Sequence, residues 1–308
     1  MRPDGDSSST PTGSEGPEAV GIGWRFGIAV LRRLPTRLLS RCVGRLATVP
    51  VPRPLRRPLY GGFARLVGAD LAEVAEPLPS FPNLDAFFVR RLRPGVHRVA
   101  SDALAAVSPV DAAVAECGPL DDGRLLQVKG LPYSAAELLG SAGDAAPYRW
   151  GHFVTLYLSP RDYHRIHAPC GGRLLRARHL PGRLLPVNPP TSRLLGGLLV
   201  GNERLVCHLE GPLGRVAVVA VGAFNVGRIT AAFDPSWSGP RGVTNRPRQP
   251  ASERLYDPPL AVVRGEEIMA FHLGSTVVVL FEPGIEPAPI TAGDRLRVGH
   301  PIAQRALG

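Results

Sequence analysis

Acidic residues are missing from one long stretch near the amino terminus. Residues 19–69 contain ten arginines and no Asp or Glu, and the whole chain has a net charge of +10. The excess charge therefore lies in this arm, and the remainder of the chain is neutral. A protein that acts on nucleic acid usually carries basic residues around its working face, so we expect no nucleic-acid partner.

Long apolar runs and clustered cysteines are missing as well. No charge-free run in the arm approaches the roughly 20 residues that span a bilayer, so we predict no transmembrane helix. The four cysteines are far apart and form no C-x-x-C pair, which argues against a zinc knuckle or a disulfide framework. Residues 1–18 lack the basic and apolar segments of a secretory signal and are predicted to form a disordered tail.

The arm contains an amphipathic pattern. Arg37, Arg41 and Arg45 recur every four residues, with leucines on the other side of the predicted helix. Such a helix can lie in the plane of lipid headgroups; an ordinary surface helix that packs on the body is the alternative. The proline-rich stretch 49–60 is expected to interrupt this pattern before a short helix within 61–76.

From residue 77 onward, short apolar runs alternate with Gly, Pro and Asn. Residues 152–158 and 275–281 are predicted strands, and 204–223 reads as two strands around a turn. We therefore predict an α+β, β-rich fold. Its antiparallel sheets would form a sandwich- or barrel-like body over 77–308, preceded by N-terminal amphipathic helices within 19–76.

Reactive side chains concentrate in a few predicted turns. Two histidines three residues apart are a weak pattern for a metal site without further ligands, so no metal is expected. Their position directly after a strand, beside charged residues, favours a functional site instead. The candidate side chains are Asp111, Asp162, His164, His167, Glu203 and Ser275.

Aspartate, histidine and serine on turns are the parts of an activated nucleophile, and Asp111, His167 and Ser275 are of those types. No G-x-S-x-G elbow surrounds Ser275, which disfavours an ordinary α/β-hydrolase. A serine that follows a glycine can instead attack its own preceding peptide bond, because Gly274 has no side chain to obstruct the approach. Sequence spacing leaves open whether the three side chains meet.

Several motifs together resemble one known family. They are FFVRRLRPG (87–95), SPVD (108–111), QVKG (127–130), YLSPRDYHRIHAPCGG (157–172), PGRLLPVNP (181–189), NERL (202–205), VGAFNVGRI (221–229) and LGSTVVVLF (273–281). In order and number they resemble the phosphatidylserine decarboxylase family over most of 80–305. Ala112 and Met269 stand where that family usually has glycine, and no role is assigned to Lys129, the only lysine.

The resemblance implies that the chain is a proenzyme cleaved between Gly274 and Ser275, into a large chain 1–274 and a small chain 275–308. Asp111, His167 and Ser275 match the family's self-processing triad. Ser275 would become a covalent pyruvoyl cofactor that forms a Schiff base with the substrate amine. His164 matches the histidine linked to decarboxylation, and we expect it to protonate the substrate.

The activity that the resemblance implies is conversion of phosphatidylserine to phosphatidylethanolamine and CO2 in phospholipid biosynthesis. The expected partners are this lipid, an anionic membrane surface through residues 19–69, the two chains of one precursor and, if the protein oligomerises, a second copy in a homodimer. The expected location is peripheral, on the cytoplasmic face of the cell membrane. Two alternatives are an intact Asp-His-Ser hydrolase acting on lipid and a non-catalytic lipid-binding homologue.

Overall fold

The computed structural model describes residues 33–127, 131–192, 194–224, 228–239, 242–246 and 249–305. The predicted tail 1–18, the first part of the arm and Lys129 lie outside the described residues. No helix in the described ranges is both long and apolar enough to cross a membrane.

The described part of the arm, from residue 33 onward, forms two helices, α1 (Thr36–Ala47) and α2 (Arg53–Val67). The predicted interruption over 49–60 is wrong in part, because α2 starts within the proline-rich stretch and continues through Pro58. A proline in the first turn is compatible with a helix, and Pro58 removes one later backbone hydrogen bond. Packing compensates for that loss, since the Tyr60 ring is fully buried and stacks on Phe87 at 5.2 Å.

Helix α1 turns its small residues toward the body and several leucines outward. Thr36, Ser40 and Ala47 are buried, whereas Leu38 and Leu46 are exposed. Arg37 faces the body, where its guanidinium lies 3.4 Å from the Glu203 carboxylate. The predicted arginine stripe is therefore split between a docking contact and the outer surface.

The other helices in the described ranges are short. They are α3 (Leu84–Phe88), α4 (Ala135–Leu139), α5 (Ala142–Ala145), α6 (Pro189–Ser192), α7 (Leu198–Gly201) and α8 (Pro235–Ser238), with 3-10 turns at Leu78–Ser80 and Ala146–Tyr148. Helix α3 begins at an Asn83 cap, whose side chain accepts a hydrogen bond from the Ala86 amide at 2.8 Å.

The body is built around antiparallel strands, which confirms the β-rich prediction. They are β1 (Ala105–Val107), β2 (Ala112–Pro119), β3 (Arg124–Gln127), β4 (Leu131–Ser134), β5 (His152–Tyr157), β6 (Arg165–His167), β7 (Gly172–Leu180), β8 (Arg204–Gly211), β9 (Gly214–Gly222), β10 (Arg228–Ala231), β11 (Ser252–Val262), β12 (Glu267–His272), β13 (Ser275–Phe281), β14 (Ile285–Pro287), β15 (Arg295–Leu296) and β16 (Pro301–Arg305).

One eight-stranded sheet, in the order β11-β7-β8-β9-β13-β5-β2-β15, dominates the body. It is open, with β11 and β15 at its edges, so the barrel-like form of the prediction does not close. A second sheet, β10-β12-β6, packs against it, as the 3.8 Å contact between the sulfur atoms of Cys207 and Met269 illustrates. The two sheets share one hydrophobic core.

Strand β13 lies near the middle of the large sheet, paired with β9 on one side and β5 on the other. All seven of its residues are buried. A continuous apolar run is typical of a strand covered on both faces. The predicted strands 152–158, 204–223 and 275–281 are thus confirmed as β5, the β8–β9 hairpin and β13.

Candidate functional site

Two residues, Leu273 and Gly274, connect β12 to β13, and this connection passes from the small sheet to the large one. Leu273 has a φ of 88°. This left-handed conformation is uncommon for residues other than glycine and costs about 1–3 kcal/mol. Backbone strain therefore lies one residue before the Gly274–Ser275 peptide bond.

Ser275 is held firmly by backbone pairing while its hydroxyl is left free. It pairs with Gly222 on β9, and its carbonyl accepts the Leu158 amide at 2.9 Å. The residue is 1% exposed, and its Oγ has no hydrogen-bond partner among the described residues. A buried hydroxyl without a partner is unfavourable, so its retention here points to a chemical use.

His164 presents a bare nitrogen to the same place. Its Nδ1–H donates to the Asp162 carbonyl at 2.7 Å, so in the neutral ring Nε2 carries the lone pair. That Nε2 is buried without a partner among the described residues. A methyl group built on Gly274 would lie 3.8 Å from it. The sequence folds so that a free base lies beside the predicted cleavage point.

Burial lowers the pKa of His164 to about 3, and the hydrogen bond to the Asp162 carbonyl only partly opposes this effect. The Phe88 ring, 4.1 Å away between centroids, supplies part of the apolar surroundings. The ring is therefore neutral near pH 7, and its Nε2 carries no proton.

Asp162 shapes the turn that orients this histidine. The Asp162 carboxylate accepts two hydrogen bonds from Ser159, one from the backbone amide at 2.8 Å and one from the side-chain hydroxyl at 2.7 Å. The same carboxylate also pairs with Arg295. These contacts fix the turn after β5, and with it the carbonyl that receives Nδ1–H of His164.

His167 and Asp111 lie in a neighbouring cluster. Nδ1–H of His167 donates to the Gly265 carbonyl at 2.7 Å, and its Nε2 accepts the Tyr163 hydroxyl at 3.1 Å. Burial lowers the pKa of His167 despite the Gly265 contact. Both ring nitrogens thus have partners other than Asp111 and Ser275. The structure brings Ser275, Gly274 and His164 together, and it gives His167 different contacts.

Asp111 binds a histidine that the sequence analysis missed. The ring of His97 donates from Nε2 to the Asp111 carboxylate at 2.9 Å, and the Val298 amide donates to it at 2.8 Å. The His97 ring also lies 5.1 Å from Tyr163 and 6.3 Å from His167. A histidine after the RPG turn at 93–95 was the only available signal.

A cavity of about 370 Å³ opens onto Ser275. Its lining is largely apolar and includes Phe63 of α2, Phe88 of α3 and Val187, together with Gly274. A mostly apolar pocket with a few polar groups is the usual form of a small-molecule site. Because Phe63 belongs to the arm, the arm forms part of the wall of this pocket.

The NERL motif serves the framework of the pocket. The Asn202 amide donates to the carbonyls of Leu185 and Gly222 at 2.9 Å each. Glu203 is fully buried and accepts from Nε2 of His179 at 2.8 Å. Since Gly222 pairs with Ser275, this motif supports the strand beside the serine.

The two departures from the family pattern occupy core positions. Ala112 is buried and pairs with Leu296 between β2 and β15. Met269 is buried at an irregular register between β12 and β6, against the sulfur of Cys207. Both side chains fill interior space.

Among the described residues, no group of three or more His, Cys, Asp or Glu side chains could hold a metal ion.

Comparisons with known proteins identify the family of the chain. The family model described as "Phosphatidylserine decarboxylase" matches residues 84–304. The chain is 46% identical over 285 residues to the phosphatidylserine decarboxylase proenzyme of Anaeromyxobacter sp. (strain K), covering 92% of this chain and 99% of that relative. It is 44% identical over 281 residues to the proenzyme of Halorhodospira halophila, covering 90% of this chain and 91% of the relative.

These matches define the chain as a member of an enzyme family. The chain belongs to the phosphatidylserine decarboxylase family, as the motifs around Asp111, His164 and Ser275 predicted.

Proposed function

We propose that this chain is a proenzyme that cleaves itself between Gly274 and Ser275 and then converts phosphatidylserine to phosphatidylethanolamine and CO2. The observation that carries the proposal is the buried, unpartnered Ser275 hydroxyl at the end of a strained two-residue connection. The relatives' names, which describe proenzymes of this activity, support the same reading.

The cleavage step uses groups of the chain alone. The Ser275 Oγ attacks the Gly274 carbonyl carbon, and a base accepts the hydroxyl proton. The C–N bond breaks, the nitrogen takes a proton, and an ester joins the two segments. Loss of the Ser275 α-proton then expels the Gly274 carboxylate and leaves dehydroalanine. Hydrolysis of dehydroalanine releases ammonia and leaves a pyruvoyl terminus on the small chain 275–308.

We assign the processing triad Asp111, His167 and Ser275 from the family resemblance, and we assign the decarboxylation step to His164. In the uncleaved chain, His167 must exchange its Tyr163 contact to reach a proton on Ser275. The bare Nε2 of His164 already lies next to Gly274. The roles of the two histidines can therefore be separated by experiment.

The pyruvoyl group, when formed, supplies a carbonyl that accepts the electron pair released with CO2. The unpartnered Oγ and the cavity at residue 275 fit a small carbonyl group at this position. His164 would take a proton from the substrate ammonium at Nε2 and return it to the substrate Cα. The apolar wall around Phe63 and Phe88 would exclude water during this transfer.

We further propose that the arm holds the protein on an anionic membrane surface, peripherally and on the cytoplasmic face. Exposed leucines on α1 and α2 support this role, namely Leu38, Leu46, Leu55, Leu59 and Leu66. Arginines of the same helices can pair with lipid phosphates. Because Phe63 of α2 also lines the cavity, the same helix would place the pocket close to the lipid.

Denaturing electrophoresis with mass analysis of the small fragment tests the proposal. The unmodified chain should separate into a large and a small fragment, the latter with the mass of a pyruvoyl terminus rather than a serine terminus. Ser275→Ala should stay whole and inactive. A split chain in this variant would refute cleavage by Ser275. An unmodified chain that stays intact and hydrolyses lipid would favour the hydrolase alternative.

A further inference from the structure

The strained connection before Ser275 is held at both ends. On one side, Ser275 is paired within the interior of the large sheet. On the other side, His272 ends β12, where it pairs with Arg228 of β10. Leu273 cannot leave its left-handed conformation unless one of these ends moves. The sheet prevents movement at Ser275, so the end at His272 decides whether the strain persists.

A buried ionic cluster fixes that second end. Nδ1–H of His272 donates to one oxygen of Asp85 at 2.8 Å, and the guanidinium of Arg228 donates to the other at 2.6 Å. The Thr230 hydroxyl lies 3.3 Å from Nε2 of His272. Asp85 and His272 are 6% and 7% exposed. Burial alone would raise the pKa of Asp85, but His272 and Arg228 together lower it, so the carboxylate is charged.

The helix that carries Asp85 also covers the site. Asp85 and Phe88 both belong to α3, and the Phe88 ring lies 4.1 Å from the His164 ring. Phe87 of the same helix stacks on Tyr60 of the arm. One short helix therefore touches the end of β12, the buried histidine and the arm.

We propose that Asp85 is a positioning residue for self-cleavage, and that its pair with His272 holds Leu273 in the strained conformation from which the Gly274–Ser275 bond breaks. This inference rests on the proposed self-cleavage. The strain is present in the whole chain and is relieved once the C–N bond breaks, because the ester then joins Gly274 to Ser275 through the longer Oγ–Cβ link and no longer fixes Leu273 against the start of β13. This clamp, formed by Asp85 and His272, thus raises the energy of the uncleaved state relative to the ester. It lowers the barrier to formation of the ester.

The test compares two buried carboxylates in the full chain. Asp85→Asn removes the clamp, and Asp144→Asn is the matched control, because Asp144 is equally buried and pairs with Arg176 and Arg178 on the large sheet. Newly synthesised chains are followed by denaturing electrophoresis, and thermal unfolding is measured for each. Asp85→Asn should slow cleavage about tenfold or more, and Asp144→Asn should stay within about twofold of the unmodified rate while losing comparable stability.

A double variant separates strain from general damage. Leu273→Gly removes the conformational penalty itself, since glycine accepts a positive φ. Leu273→Gly should slow cleavage, and adding Asp85→Asn should produce little further loss, because both changes remove the same strain. If the two reductions in cleavage rate multiply in the double variant, Asp85 and Leu273 act independently and the proposed clamp is overturned.

Added hydroxylamine locates the slowed step, because it cleaves an ester but not a peptide. Asp85→Asn should not be rescued by hydroxylamine, since ester formation is the step that slows; rescue would overturn the clamp. Equal rates for Asp85→Asn and Asp144→Asn would overturn it while leaving self-cleavage intact. An unmodified chain that never splits would overturn the proposed function and the clamp together.

Discussion

At the scale of single residues, the two histidines of the YHRIH segment have different surroundings and should fail differently. His167→Ala should block cleavage, because the resemblance assigns it to the processing triad. His164→Ala should leave some cleavage and little decarboxylation, since its Nε2 would serve the substrate proton. Electrophoresis measures cleavage and CO2 release measures turnover for each variant.

The contacts of His164 and His167 define the result that would contradict these assigned roles. Nε2 of His164 is bare beside Gly274, whereas Nε2 of His167 accepts the Tyr163 hydroxyl. If His164→Ala stays whole while His167→Ala cleaves, the processing base is His164 and the assigned roles are reversed. Tyr163→Phe is the control, because it removes the hydroxyl that contacts Nε2 of His167 and keeps both aromatic rings.

Stability should fall with decreasing pH because His164 is buried and neutral. Its pKa is lowered from 6.5 to about 3, so between these values the unfolded ring binds a proton that the folded ring does not. The free energy of unfolding should therefore decrease as pH falls below about 6.5, by up to about 1.4 kcal/mol per pH unit from this group. Urea unfolding of the uncleaved Ser275→Ala chain at several pH values measures the slope. Adding His164→Gln should reduce it, and an unchanged slope would contradict a neutral buried His164.

The sequence indicated the residue types of the site better than their partners. Ser275 lines the cavity and His164 lies beside Gly274, whereas the histidine partner of Asp111 in the structure is His97. An imidazole and a carboxylate attract each other wherever the fold brings them together. No periodic pattern in the sequence predicts which histidine will contact which carboxylate. The Asp85–His272 pair, separated by 187 positions, could be found only from the fold.

At the scale of elements, the predictions succeeded where a run of one residue class determines the conformation. The run Val277–Phe281 is short and rich in β-branched residues, which favours a buried strand, and the β8–β9 hairpin follows from apolar runs on either side of a turn. The start of helix α2 was mispredicted because prolines disfavour a helix locally, whereas burial of Tyr60 and Ala64 stabilises it through contacts distant in sequence. Local preference is a weak prior when packing opposes it.

The position of β13 explains how a cleaved chain would remain assembled. After cleavage between Gly274 and Ser275, the small chain would begin at the first residue of β13, which is hydrogen-bonded on both sides and fully buried. Burial of this strand would hold the new terminus in the pocket without a covalent link. The location of Ser275 at the start of an interior strand is therefore part of the proposed mechanism.

At the scale of the whole molecule, charge and exposed apolar side chains lie on the same arm, and this predicts how the protein meets lipid. Leu46→Glu should weaken binding to vesicles that contain phosphatidylglycerol about tenfold or more, because a leucine loses about 1.5–3 kcal/mol of burial. Leu255→Glu on β11 is the matched control, since Leu46 and Leu255 are both 73% exposed. Sedimentation with vesicles measures the bound fraction of the full chain.

The control separates a membrane-facing arm from a general loss of surface hydrophobicity. Leu255→Glu should bind as the unmodified chain does, because β11 is an edge strand of the body and is not part of the arm. Binding should also fall with added salt and with neutral phosphatidylcholine vesicles, since arginines such as Arg45 would pair with anionic lipid. Equal losses in both leucine variants, or binding insensitive to salt and lipid charge, would contradict the arm as the membrane-binding surface. In that case α2 would serve to build the pocket wall at Phe63.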